Sequence, residues 1–537
     1  MEYKNLQGRA KAPSTQQECY AHAGNIPDAP EPRGYFTMAN GCPLEDPLAT
    51  ENVAKEDGPN RMASQLIQDI NVIDTISHIT RERIPERYVH AKGAGAFGTF
   101  EVTNKDFDIT DYSDAKFLDT KGKKTRLFSR FSTVAGERGY PDTVRDAKGA
   151  AFKLYTEEGN LDWAFLNPFW DYFNCHPEGY NALMRIFSDE GTPKSYSRMN
   201  ISSVHCYTFT KKEVFGTQLK STLVRIKLVP DPLPKPDEDY FNLEQAITMA
   251  GKDPDYLARR LYDDIKSEKS KPTWKVMAQL VEHPEESDVN IYDATKTLSE
   301  EKFPLKEFGK ITLTECPKNF FTQVEQAGFN PANVVPGWDI SPDPLLQIRL
   351  FAYGDTQRYR LGVNSDQLPT NRPCSYVYSP TRRDGACNMT NYANARNYIR
   401  DDAETPDSYY RSSLDWKGTL ERFKSEIDEG TDYLQCSDHY ESMTEKLKSN
   451  FVTNVAASLS TAMQETQKKS LEIWNKIDKD LKQKIETAIK HRVKSNQTLA
   501  RAPGVIAGAE KNHEASYLPP TAPDPSTEVV KNIFEKI

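Results

Sequence analysis

The chain has 537 residues and a formal net charge of −9. That length exceeds one small domain and allows a large core with appendages, and an acidic balance without a long basic block excludes nucleic acid as the expected partner. Eight cysteines, with no Cys-x-x-Cys pair and no metal-ligand spacing, read as reduced thiols rather than a disulfide frame.

In chain order, residues 1–60 are rich in Pro, Gly and polar side chains and are expected to form an extended N-terminal arm. The first twenty residues lack an apolar stretch, so no secretory signal is expected. Met62, Leu66, Ile70, Ile73 and Ile76 lie near helical spacing and predict a helix over 62–79. From about residue 97 to 230, alternating runs predict strands at Gly98–Thr103, Ala150–Thr156, Cys206–Thr210 and Leu223–Val229. The proline-rich Val229–Pro236 predicts an extended connector. More strand follows, including Lys310–Leu313, and then a helix over Pro342–Arg360. Residues 365–430 have the turn-rich Tyr/Asn/Arg composition of a wrapping loop. Residues Val452–Val493 predict helix, with Trp474, Ile477, Leu481, Ile485 and Ile489 as its apolar stripe. Such a stripe suits a membrane surface too, but docking onto the main domain is the simpler reading. The mixed charges of Lys468–Arg492 then form a solvated face. No apolar run approaches the length of a bilayer span, and the polar, Pro/Ala-rich residues 495–537 predict a disordered tail. The expected organisation is an arm (1–60), a core (61–364), a wrapping loop (365–430), a C-terminal helical domain (431–494) and the tail.

The most informative motif is Arg349–Gly362 (RLFAYGDTQRYRLG). Residues four apart share a helix face, so Arg349 can lie against the Tyr353 phenol. A nearby cation favours the ionised form of an acid, and tyrosine is one of the few side chains that bind haem iron from the protein side. A lone Arg–Tyr pair would ordinarily be a core feature; the length of the pattern argues otherwise. This run resembles the haem-ligand signature of the catalase family. Arg83–Thr103 (RIPERYVHAKGAGAFGTFEVT) and Arg130–Gly136 (RFSTVAG) resemble two further segments of that family.

The resemblance covers roughly residues 40–490 and is nearest the fungal branch, from runs such as Phe321–Phe329 (FTQVEQAGF). It implies an α+β fold: an antiparallel eight-stranded β-barrel holding ferric haem b, a wrapping loop and a C-terminal helical domain. It implies Tyr353 as proximal iron ligand, with Arg349 beside it, and His90 and Asn167 as catalytic residues. It assigns Arg87, Arg130 and Arg360 to cofactor binding, Arg87 and Arg130 at the propionates, and gives Ser132 as the hydroxyl bonded to His90. Imidazole suits the role, since peroxide cleavage needs a base that takes a proton and returns it to the departing oxygen. An amide such as Asn167 suits the positioning of peroxide. Gly93, Gly95 and Gly98 would let the backbone pass close to a flat ligand. The family also implies a homotetramer with exchanged arms, and hydrogen peroxide as substrate.

Departures from the family carry their own expectations. After Asn167 the chain passes at once to Pro168–Phe173 (PFWDYF), where the family has a strand and a helix that wall the distal pocket. A shortened wall predicts lower turnover and access for bulkier molecules. Glu190, Val229, Leu298 and Glu300 stand at positions where related nucleotide sites carry cationic, aromatic or histidine side chains, so nicotinamide dinucleotide phosphate is not expected to bind tightly. Thr99, Gly354 and Gln357 are smaller changes. The expected activity is decomposition of hydrogen peroxide. The alternatives are a catalase-fold oxidase acting on an organic, indole-derived substrate, or a degenerate haem-binding subunit. The expected location is the peroxisomal matrix or cytoplasm, the former hinted at by Glu535-Lys536-Ile537.

Overall fold

The computed structural model describes residues 36–500 apart from 39–41, 45, 47–48, 55–62, 84–85, 165–175, 213–218, 237, 268–270, 397, 399–417 and 424–428. Two short strands come first, β1 (Thr50–Ala54) and β2 (Ala63–Gln65), then helix α1 (Ile70–Ile79). The helix predicted over 62–79 is therefore shorter than its periodicity suggests. Residues 63–65 pair with β1 instead, and the Gln65 N–H donates to Gln347 Oε1 at 2.9 Å. Asp69 then starts α1 by accepting the Val72 N–H at 3.3 Å. Ile67 and Ile70 are exposed, so the apolar spacing there did not mark a buried helix face.

The main sheet is antiparallel and carries strands β3 (Gly93–Val102), β4 (Lys124–Thr133), β5 (Lys148–Thr156), β6 (Gly159–Ala164), β7 (Ile201–Ser202), β8 (Tyr207–Lys212), β9 (Leu219–Pro230), β10 (Thr273–Val281), β11 (Lys306–Glu315) and β12 (Trp338–Asp339). Its order is β12-β8-β9-β10-β11-β3-β4-β5-β6, with β7 paired to β9. Eight of these strands exceed two residues, the number expected, and β7 and β12 are two-residue additions. The sheet curls until its edge strands meet. Trp163 of β6 and Trp338 of β12 meet with ring centroids 5.4 Å apart and planes tilted by 32°, and the Asp162 N–H donates to Asn333 O at 3.2 Å. The main apolar core includes Phe100, Phe131, Trp163, Trp274 and Trp338, all buried; burying each such side chain stabilises by roughly 1.5–3 kcal/mol.

Helix α2 (Tyr180–Phe187) follows the sheet's first half, and α3 (Leu243–Lys252) and α4 (Tyr256–Lys266) lie between β9 and β10. Buried Asp142 accepts the first free N–H groups of α4, from Leu257 and Ala258, at 3.0 Å each. Helix α5 (Pro344–Arg360) matches the helix predicted over 342–360, with Asp343 as its cap. Among the described residues of the turn-rich stretch after it is strand β13 (Thr419–Phe423), which pairs with β1 to make a second sheet, β13-β1-β2. Helices α6 (Glu429–Glu441), α7 (Glu445–Leu459), α8 (Gln464–Ile477) and α9 (Lys479–Ala500) follow. The predicted stripe of Trp474, Ile477, Leu481, Ile485 and Ile489 is buried, but it belongs to two helices broken at Asp478. Asp478 accepts the Leu481 N–H at 2.5 Å, a side-chain cap that starts the second helix. The stripe lies in one buried cluster with Tyr180, Leu183, Met184 and Phe187 of α2, where the Trp474 ring meets that of Tyr180 at 4.9 Å, which excludes the membrane-surface alternative. Helix α9 runs through Ala500, into the stretch expected to be disordered; residues 501–537 lie outside the described residues. Among the described residues no helix is long and apolar enough to cross a membrane.

Candidate functional site

The site assembles from β3, β4, β5 and α5. His90 precedes β3 with its N–H donating to Val134 O at 3.0 Å. Its φ is +64°, a left-handed conformation that a non-glycine residue adopts only when its surroundings hold it there. Ser132 of β4 places its hydroxyl 2.9 Å from His90 Nδ1. With the ring's Nδ1–H donating to that oxygen, Nε2 is left as the acceptor. Burial pushes the imidazole down to about 3, and the positive charges of Arg130, Arg349 and Arg87 act in the same direction; a backbone hydrogen bond at Thr133 opposes them weakly. His90 is therefore neutral at ordinary pH. Gly149 of β5 makes room for it: a Cβ there would stand 2.3 Å from His90 Cε1 and 2.6 Å from Nδ1. Neither the pattern nor the spacing of the sequence pointed to Gly149.

Arg349 and Tyr353 meet on one face of α5. Arg349 Nη2 donates to Tyr353 Oη at 2.5 Å, and its Cζ lies 4.7 Å from the ring centroid. The same Nη2 donates to Ala164 O at 2.7 Å, tying the helix to the end of β6. Two further residues escaped the sequence reading. The Nη1 of Arg349 bonds His205 Nε2, and His205 Nδ1 lies 3.1 Å from Asp343 Oδ2. Both His205 and Asp343 are fully buried. Asp343 also accepts the Leu346 N–H at 2.9 Å, so one carboxylate starts α5 and anchors the chain His205–Arg349–Tyr353.

A second group gathers three arginines. Arg87 Nη2 donates to Val324 O, Glu325 O and Ala327 O at 3.2, 3.0 and 2.8 Å. Arg360 donates to Glu325 O at 2.7 Å and Ala327 O at 3.2 Å. Arg130 donates to Ala91 O at 3.1 Å. Burial lowers all three, Arg130 to about 9, and the neighbouring guanidinium charges lower them further. Glu325 attracts all three and lies 3.3 Å from Arg87 Nη1. Arg87 Nη1 and Arg130 Nε, both buried, have no hydrogen-bond partner. A buried Arg130 Nε without a partner among the described residues, and an Arg87 Nη1 that meets only the Glu325 charge, fit carboxylates of a bound group in this surplus of positive charge, as the propionates of haem would supply. Tyr353 is the oxygen donor that could face its iron.

The structure thus brings His90 to Ser132, Arg349 to Tyr353, and Arg87, Arg130 and Arg360 to one another. Asn167 and the junction with Pro168 lie outside the described residues. Gly93, Gly95 and Gly98 accommodate neighbouring strands: an added Cβ would meet Phe131 O at 2.5 Å, the Phe128 ring at 2.6 Å and Thr312 O at 2.2 Å respectively. Those close approaches explain these glycines without a flat ligand.

The chain is similar to known proteins over most of its length. A family model described as Catalase matches residues 37–168 and 165–405, and one described as catalase-related immune-responsive matches 426–489. The two catalase stretches meet where the sequence reading found the family's strand and helix cut short. Catalase A of Botryotinia fuckeliana is 40% identical over 472 residues, covering 79% of this chain and 94% of that protein. Peroxisomal catalase of Candida tropicalis is 39% identical over 497 residues, covering 83% and 96%. A solved fungal catalase matches with a TM-score of 0.70 at 34% identity, covering 86% of this chain and 97% of that one.

Proposed function

This chain belongs to the catalase family and is a haem enzyme that decomposes hydrogen peroxide to water and dioxygen; we propose that Tyr353 ligates the haem iron and that His90 moves the proton. The haem, ferric haem b in this reading, supplies when bound the iron chemistry that exchanges electrons with peroxide. The residues supply placement and proton transfer. Arg349 takes one lone pair of the Tyr353 oxygen and leaves others for a metal. Arg87, Arg130 and Arg360 receive the two propionates. His90 Nε2 accepts a proton from peroxide and returns it to the departing oxygen as water leaves, while Ser132 holds Nδ1. Asn167 orients the peroxide.

The observation that carries this reading is the Arg349–Tyr353 contact, held from behind by His205 and Asp343. Tyr353→Phe removes the oxygen at nearly constant volume. The variant is expected to purify with little haem or with an altered ferric spectrum; full occupancy with an unchanged spectrum would refute the ligand. The relatives are named as catalases, which favours peroxide over an organic substrate and over a degenerate subunit.

The lack of tight nicotinamide dinucleotide phosphate binding is part of the same proposal. Glu300 pairs with Lys227 at 2.8 Å, Glu190 lies 3.7 Å from Arg185, and Leu298 is buried. Acids so placed repel phosphate and occupy the nearby cations. A homotetramer is supported by the exposed aromatic side chains of Tyr376, Tyr378 and Tyr398 in the wrapping stretch. A peroxisomal location is supported by relatives from Candida tropicalis and Saccharomyces cerevisiae, named as peroxisomal catalases.

A further inference from the structure

The three-arginine cluster carries more than a place for two carboxylates. Two of its members, Arg87 and Arg360, face one short segment, the π-helical turn Phe321–Glu325 and the two residues after it. The wider winding, closed by the Gln326 N–H to Phe321 O at 2.9 Å, presents the carbonyls of Val324, Glu325 and Ala327 to Arg87 and those of Glu325 and Ala327 to Arg360. Such turns recur at functional sites. The turn also supplies a charge. Glu325 is buried, with 7% of its side chain exposed, and among the described residues it is the carboxylate paired to this cluster. Its Oε2 lies 3.3 Å from Arg87 Nη1 but is not aligned for a hydrogen bond. It therefore acts as a counter-charge rather than as a directional clamp.

Three guanidinium groups and one carboxylate leave a surplus of two positive charges. Haem b carries two propionates. We propose that Glu325 is a resident counter-ion that sets the charge of this cradle to match a dicarboxylate porphyrin, holding the arginines together before the cofactor arrives and moderating their grip once it is bound. The inference rests on the haem reading above and adds a residue that positions charge without touching the reacting atoms. It has two consequences of opposite sign. Without haem, loss of the Glu325 charge leaves three buried cations uncompensated, and the chain is less stable. With haem, the same loss removes a repulsion between carboxylates, and the porphyrin is held more tightly.

The test compares the full chain with Glu325→Gln, each with haem and with the haem dimethyl ester, whose propionates are uncharged. Thermal melting of the haem-free proteins gives the first effect; transfer of porphyrin to an excess of acceptor globin gives the second. The haem-free variant is expected to melt lower. Haem should leave it at least about tenfold more slowly, the effect of one charge even at about 12 Å in an effective dielectric of about 20, while release of the ester is unchanged. A variant that releases haem as fast as, or faster than, the unmutated chain overturns the proposal, and so does an equal change for haem and ester. If Glu325→Gln does not fold, Glu325→Asp decides. It keeps the charge and should fold and release haem as the unmutated chain does; failure of Glu325→Asp as well would make Glu325 a packing residue and overturn the inference. An unmutated chain that takes up no haem refutes the haem reading itself, whereas normal uptake with a charge-insensitive Glu325 refutes the inference alone.

Discussion

At the scale of single residues, His90 is held in an unusual state by its surroundings. Its backbone is left-handed, its ring is pinned by Ser132 and Gly149, and burial with three nearby arginines pushes its imidazole from 6.5 to about 3. Two pH effects follow. The folded group binds its proton far less readily than the unfolded one, so between pH 6.5 and about 3 the unfolded state carries more protons. The contribution of His90 to stability is thus present above 6.5 and is lost as the pH falls toward 3. Over pH 5 to 8 the base itself stays neutral, so the rate of peroxide decomposition should show no inflection from this residue; an inflection near 6.5 that disappears in His90→Gln would contradict the assignment. Gly149→Ala places a methyl group within 2.6 Å of two ring atoms. The ring must move, and the variant is expected to keep its haem while losing about 10²-fold in rate, as misplaced reacting groups do. Parallel measurement of haem content and turnover checks this. The residues on contiguous motifs were legible because their neighbours in sequence identify them. Gly149 was not, because its role depends on a ring 59 positions away in the chain.

At the scale of elements, α5 is fastened on either side of Tyr353. Asp343 caps it and binds His205; Arg81 makes a bidentate pair with Asp355 at 2.5 and 2.9 Å, joining α1 to the residue two positions beyond Tyr353. Asp343 is the critical point, because one buried carboxylate serves a helix terminus and a histidine at once. Asp343→Ala should lose about 1 kcal/mol from the cap and a further ~1–3 kcal/mol from the unpaired buried partner. It should also shift the ferric spectrum, since Arg349 loses the support of His205. Chemical denaturation and the spectrum together test this; a full loss of stability with an unaltered spectrum would show that the network does not reach Tyr353. The boundaries of α5 were legible from the Pro and Asp residues at its start and its apolar run. The link to His205 was not, because 138 residues separate the pair. The helix over 62–79 was overcalled because strand pairing of residues 63–65 outweighs a weak helical spacing. The stripe near the C-terminus had the right residues but ran across a helix break, since a side-chain cap at Asp478 preserves the spacing through the turn.

At the scale of the whole molecule, a curled sheet and the helix that carries Tyr353 converge on one buried, arginine-rich site, while the C-terminal helices pack apart from it on α2. Position and charge agree: His90 is neutral, Tyr353 is paired with Arg349, and Arg87, Arg130 and Arg360 gather, among the described residues, with a single carboxylate, Glu325. The central claim is that this site decomposes peroxide through His90 and a Tyr353-bound haem. The most direct measurement is oxygen evolution from hydrogen peroxide by the fully haem-loaded protein and its His90→Ala variant. The account predicts oxygen from the unmutated protein and a loss of about 10²–10⁴-fold in the variant at equal haem content. Haem-loaded protein that releases no oxygen, or a variant as fast as its parent, would contradict it.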